Sequence, residues 1–316
     1  MLQGRFASGR YTSTVLFVLS MLVILAAHWL PSAVPCAAQP VLLEGFLSRV
    51  VSALVYAFAA VLLSRQMFFD RAVKWLGALY LWFVAISTFV NGDLFIAFSS
   101  LLFLLSILLL FFCQYSANPV GPLYTSFLLL GVLVFVMPYS LWLIPLFWIF
   151  GFFANVFSPK GVAASFLGLA TPLWLLFGSA YVFPVADTLS ERVMESLYLA
   201  FDIGLPEFSI LFLLQLLFVL AVLLPALFSF VGSASPSKPL LRRRLSFVMV
   251  ADIYLLLLFC IAGSGAHFFY MCQLPCAAVL ASYLFAKKET KLSNVYFIFV
   301  NLILVAIATC PLWLMH

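Results

Sequence analysis

Six side chains of this sequence, His28, Glu44, Arg49, Asp93, Arg192 and His267, are of the types that take up protons or grip anions, and the hydrophobic pattern puts five of them at one predicted depth with Arg192 above them. A carboxylate or imidazole among them can act as a general base. The planar guanidinium of Arg49 or Arg192 matches a pyrophosphate through paired hydrogen bonds. They compose either one shared external site or a set of independent side chains, each extending to a headgroup region. His316 ends at the same level. Glu44 and Arg49 lie five residues apart, about 140° around a helix, so they do not make an i, i+4 pair.

Asp252 stands apart as the one acid well inside an apolar stretch. Eight residues past Arg244, it lies roughly 10–12 Å in from the basic end at ~1.5 Å per residue. A charge at the centre of a membrane helix costs about 2.5–3.5 kcal/mol, so a partner is expected. Asn301, at similar depth in the last apolar stretch, is the first candidate, ahead of Tyr254 and Gln273. The pair Asp252 and Asn301 is read either as an intramembrane proton- or ion-coupling site or as a buried structural hydrogen bond.

Other chemistry is thinly represented. Cys272 and Cys276 fall on one helical face beside Pro275 without a nearby His or carboxylate, which favours packing over a metal pair, so no metal or other cofactor is expected. There is no Gly-x-Ser-x-Gly, phosphate loop, His-Glu-x-x-His or dinucleotide fingerprint, which disfavours soluble-enzyme chemistry.

The elements that must position these residues follow from composition. The chain is 66% hydrophobic and 8% charged, against about 45–50% and about 25% for a soluble domain. Apolar stretches run over 13–30, 41–64, 73–90, 94–114, 122–137, 139–157, 162–183, 207–232, 246–264, 266–286 and 293–315. Each approaches the ~20 residues that cross ~30 Å of hydrocarbon. Interrupting Pro and Gly and the lack of period-2 alternation make them helices and not barrel strands. The expected fold is therefore all-α, a single integral membrane domain over 1–316 with about eleven transmembrane helices. Pro145, Pro172, Pro225 and Pro275 fall inside spans, where they free carbonyls and kink helices.

Orientation follows the positive charges. With the amino terminus cytoplasmic and the carboxyl terminus external, every one of the 15 basic residues except Arg49 and Arg192 is cytoplasmic. The dense run from Lys238 to Arg244 then suits anionic lipid and not nucleic acid. Arg5 and Arg10 before a long apolar run resemble a secretory signal, but the run exceeds the ~7–15 residues of a signal core, so a retained first span is expected.

Residues 184–206 form the one external segment with a pattern of its own. Thr188 to Glu191 is a capping box. Leu189, Val193, Met194, Leu197 and Phe201 then share one face and Asp187, Glu191, Glu195 and Asp202 the other, until Gly204 and Pro206 stop the helix. This predicts an acidic amphipathic helix over about 188–202 lying on the external surface, where it packs on the bundle or docks protein partners.

The stretch from Met137 through Pro138, Tyr139, Ser140, Leu141, Trp142, Leu143, Ile144 and Pro145 to Leu146, followed by Phe166 to Pro172, resembles an uncharacterised family of bacterial polytopic inner-membrane proteins. Residues 70–185 also resemble multi-span glycosyltransferases and polymerases acting on polyprenyl-linked sugars. Those enzymes carry an acidic pair in a sizeable first external loop, where this chain has Glu44 beside a short neutral one. The resemblance implies a multi-pass protein of the cell inner membrane in contact with membrane lipids. The leading expectation is transport or flipping of a lipid or lipid-linked envelope substrate. The alternatives are an external transferase using Glu44, His28 or His267 as base with Arg49 or Arg192 on pyrophosphate, and a non-catalytic membrane subunit.

Overall fold

The computed structural model describes residues 12–26, 42–65, 76–88, 93–114, 116, 118–182, 198, 204, 209–232, 239–287 and 291–314. Among these there are no strands, and eleven α-helices occur, one overlapping each apolar stretch. They are α1 (Thr12–Ala26), α2 (Leu42–Arg65), α3 (Leu76–Thr88), α4 (Leu94–Cys113), α5 (Val120–Val136), α6 (Ile144–Phe153), α7 (Pro159–Val182), α8 (Ile210–Gly232), α9 (Pro239–Ile261), α10 (Ala266–Lys287) and α11 (Lys291–Leu314). A six-residue 3-10 turn, Pro138–Leu143, leads into α6.

Six segments are long and apolar enough to cross a membrane: Phe46–Ser64, Leu94–Cys113, Pro159–Ser179, Ile210–Phe230, Arg242–Ile261 and Ala266–Phe285. Their burial differs widely. The span of α10 is 89% buried and that of α7 only 28%, so α10 is an interior helix while α7 turns Phe166, Leu167, Trp174, Leu175 and Phe177 outward. Outward-facing Leu, Phe and Trp suit hydrocarbon as solvent. The amphipathic segment expected over 188–202 lies outside the described residues, save Tyr198, which is helical and exposed.

The chain divides into two compact units. The first comprises Met1–Phe98, Glu207–Leu256 and Tyr270–His316. Within it α3 packs against α1, α2 and α11, and α8 against α11. Gly77 lets α3 approach α2 at the carbonyl of Ala60 and the hydroxyl of Ser64, positions that any Cβ would occupy. Phe83 of α3 meets Phe218 of α8 edge-on at 5.0 Å. Pro225 in α8 has no N–H to give the carbonyl of Ala221, four residues back. The Tyr296 hydroxyl of α11 donates to that carbonyl at 2.7 Å, so the orphan created by one helix is satisfied by its neighbour.

The second unit comprises Ser99–Pro206 and Leu257–Phe269. Its main seam joins α5 and α7 at backbone distance. A Cβ on Gly168 would sit 2.6 Å from the carbonyl oxygen of Tyr124, and one on Gly131 would sit 3.1 Å from that of Leu169. Small residues at such crossings are how membrane helices gain close packing. Thr171 gives its hydroxyl proton to the carbonyl of Leu167 at 2.6 Å. Tyr124 is therefore the donor in its 3.0 Å bond to Thr171. Ser126 of α5 donates to the carbonyl of Ser106 of α4 at 2.8 Å. Phe147 of α6 sits between Phe103 and Phe127, at 6.3 and 5.9 Å.

Candidate functional site

Without water in a bilayer, every buried polar group needs a partner from the protein. The serines obtain theirs locally: Ser20, Ser52, Ser64 and Ser106 each bond the carbonyl four residues back in their own helix. Asp252 is an exception. It lies close to the midpoint of Arg242–Ile261, roughly 15 Å from either end at ~1.5 Å per residue. It is fully buried, and neither carboxylate oxygen has a hydrogen-bond partner among the described residues.

The turn between α9 and α10 sets what faces Asp252. Ala262 to Gly265 reverse the chain, with Gly263 at φ +43, a conformation that glycine takes without strain. The short turn brings Gln273, seven residues past Ala266, beside Asp252, nine residues before Ile261. Gln273 is fully buried, and its Nε2 donates to the main-chain carbonyl of Asp252 at 3.0 Å. A carbonyl only accepts, so the facing atom of the amide must be nitrogen, which leaves Oε1 free of any partner among the described residues. Nε2 carries a second hydrogen, and through it the amide acts as a weak donor to the Asp252 carboxyl, short of good hydrogen-bond geometry. Cys276, one turn on, is a further electrostatic neighbour of Asp252.

Asn301, the expected first partner, gives its amide proton to the carbonyl of Phe297 in its own helix at 2.8 Å. Gln273, ranked behind it from the sequence, makes the contact instead. Asn301 is matched in depth, but depth alone does not say which helix neighbours α9.

One turn from Gln273, towards the α9–α10 turn, the Tyr270 hydroxyl bonds Ser87 of α3 at 3.1 Å, with both residues fully buried. Ser87 donates its own proton to the carbonyl of Phe83 at 2.8 Å, so Tyr270 is the donor between them. Gln215 of α8 is also buried, with its Nε2 unpartnered among the described residues. Ser87, Gln215 and Tyr270 were not singled out in the sequence. The signal available for Tyr270 was its i, i+3 spacing from Gln273.

The described residues cover only part of the expected external group. His28 and Arg192 lie outside the described residues, as does the side chain of Glu44 at the start of α2. Arg49 is half-buried on α2, and Asp93 is exposed and shares no ion pair with it. Asp93 has structural work at the head of α4, where its Oδ1 accepts the Phe95 N–H at 3.0 Å as a helix cap. His267 is half-buried in the second unit, whereas Arg49 and Asp93 belong to the first. Among the described residues no group of three or more His, Cys, Asp or Glu is placed to hold a metal ion. No family model, curated protein or solved structure matches this chain.

Proposed function

We propose that this chain is a membrane transport protein that moves a lipid or lipid-linked substrate, with Asp252 as its coupling acid. The observation that carries the proposal is a mid-span carboxylate, fully buried, with neither oxygen bonded among the described residues. A purely structural acid would be expected to have donors, because buried polar groups in stable cores are bonded. The nearest donor, the Gln273 amide, gives one N–H to main chain and only a weak contact to the carboxyl. An acid kept at the middle of a span at this cost is the arrangement expected of an ion-coupled pathway. External transfer chemistry would instead need Glu44, Arg49, Arg192 and a histidine to converge.

The lipid class is supported by the short connections between apolar stretches, which leave no soluble domain for a water-soluble substrate. It is supported too by the outward apolar face of α7, where acyl chains find matching surface. The topology that goes with this function has eleven crossings of a cell inner membrane, amino terminus cytoplasmic and carboxyl terminus external, an odd number being what keeps the basic loops on one side. Membrane lipids are then its surroundings and its substrate class, and the acidic segment over 188–202 is the surface for any protein partner.

The test is lipid movement by purified protein in liposomes carrying a headgroup-labelled phospholipid or polyprenyl phosphate, with external quenching of the label. Wild-type protein should make inner-leaflet label accessible faster than protein-free liposomes do, and Asp252→Asn should remove the gain. Equal rates with and without protein, for both labels, would overturn the proposal.

A further inference from the structure

Around residue 252 the supply of acceptors exceeds that of hydrogens. Asp252 Oδ1, Asp252 Oδ2 and Gln273 Oε1 are all buried, and none has a donor among the described residues. The Gln273 Nε2 gives one hydrogen to the main-chain carbonyl of Asp252 at 3.0 Å, and its second hydrogen makes at most a weak contact with the carboxyl. That bond fixes the amide beside the carboxyl. One added hydrogen reduces the deficit: placed on Asp252, it converts an acceptor into a donor and removes the buried charge. A calcium or magnesium ion would require six or more oxygens, and the fourth oxygen of this cluster is already bonded.

We propose that Asp252 and Gln273 form a binding site for one exchangeable proton, which exchanges past the bonded hydroxyls of Tyr270 and Ser87. Tyr270 lies three residues before Gln273 on α10, about 4.5 Å along the axis, and its hydroxyl is bonded to Ser87 at 3.1 Å. These hydroxyls extend the polar line from Gln273 towards the turn. The opposite direction along α9 leads to Arg244, about 12 Å away along the helix, whose positive charge disfavours a passing proton. Of the titratable groups nearby, Cys276 faces Asp252 from α10 with Cys272 beside it. Tyr254, two residues on in α9, points to another side of that helix. In the binding step a hydronium gives its proton to a carboxylate oxygen and leaves as water. Release reverses this, and only an O–H bond is made or broken.

The site supplies the coupling ion for the transport proposed above and rests on that reading only for its purpose. Its experiment therefore needs no substrate: infrared spectroscopy of wild-type protein in liposomes, followed through a pH titration in H2O and in D2O. A carboxylic acid band should appear as pH falls and shift in D2O, and Asp252→Asn should lose it. Gln273→Leu should keep the band but move it to higher wavenumber, because the amide partner is gone. Tyr270→Phe should leave the band in place and slow its exchange into D2O. Replacing choline by sodium in the buffer should change nothing. Absence of the band in wild type, its persistence in Asp252→Asn, no shift in Gln273→Leu, or its loss in sodium would each overturn the proton site. Should Asp252→Asn fail to insert, the wild-type isotope shift and Gln273→Leu still decide. A titrating band in protein that moves no lipid would leave the site standing and remove the transport reading.

Discussion

The seam between α5 and α7 and the surroundings of Asp252 treat polar atoms in opposite ways. Along the seam each hydroxyl has a stated use: Tyr124 donates to Thr171, and Thr171 donates to the carbonyl of Leu167. Glycines bring the two backbones together so closely that a Cβ on Gly168 would stand 2.6 Å from a carbonyl oxygen. Around Asp252, by contrast, three acceptors are buried without donors among the described residues. Close packing with satisfied groups is how a membrane fold secures stability. Retained unsatisfied groups cost stability and so indicate use. Substitutions should therefore divide, with those at packing contacts lowering stability and those at Asp252 removing function.

The largest loss of stability is expected for Gly168→Val, where helix separation is the only relief from contact with the Tyr124 carbonyl. Overpacking of this kind costs about 1–3 kcal/mol and occasionally more, which a thermal melt in detergent would register together with lower yield. An unchanged melting temperature would mean the seam is looser than described.

Next comes the bond across Pro225. Tyr296→Phe leaves the carbonyl of Ala221 without its donor, at a cost of about 1–3 kcal/mol. Adding Pro225→Ala should recover much of it, because the restored N–H at residue 225 bonds the same carbonyl. Additive losses in this double-mutant cycle would show that the hydroxyl and the proline are not coupled.

Tyr270→Phe should have the smallest effect on stability, about 0.5–1.5 kcal/mol for one hydrogen bond. It should also slow transport while Tyr296→Phe, adjusted for abundance, does not. The same transport rate per molecule in both variants would erase the distinction between the two tyrosines.

The helices were legible because apolar runs leave little choice: each of the eleven stretches overlaps one α-helix, and six of the segments are long and apolar enough to cross a membrane. Asp252 was legible for the same reason, as a lone acid in an apolar run. Its neighbour was not, since whether Gln273 or Asn301 faces it depends on hairpin register and helix adjacency, which hydropathy does not encode. Asp93 was read as a member of an external site, while its place immediately before α4 gave an equally direct signal for the cap it makes. The seam had a signal that went unread, in Gly131, Gly161 and Gly168, small residues of the kind that bring membrane helices together. The external group could not be judged from sequence because its members come from distant parts of the chain, and His267 folds with a different unit from Arg49 and Asp93.

The most direct test of the account is a paired measurement on Asp252→Leu, comparing its melting temperature and its lipid movement in liposomes with those of wild type. Replacing an unpaired buried carboxylate by an apolar group of similar length should leave stability unchanged or raised. The account predicts that melting temperature together with loss of transport. A variant that melts lower and still moves lipid at the wild-type rate would show Asp252 to be part of the scaffold and contradict the account.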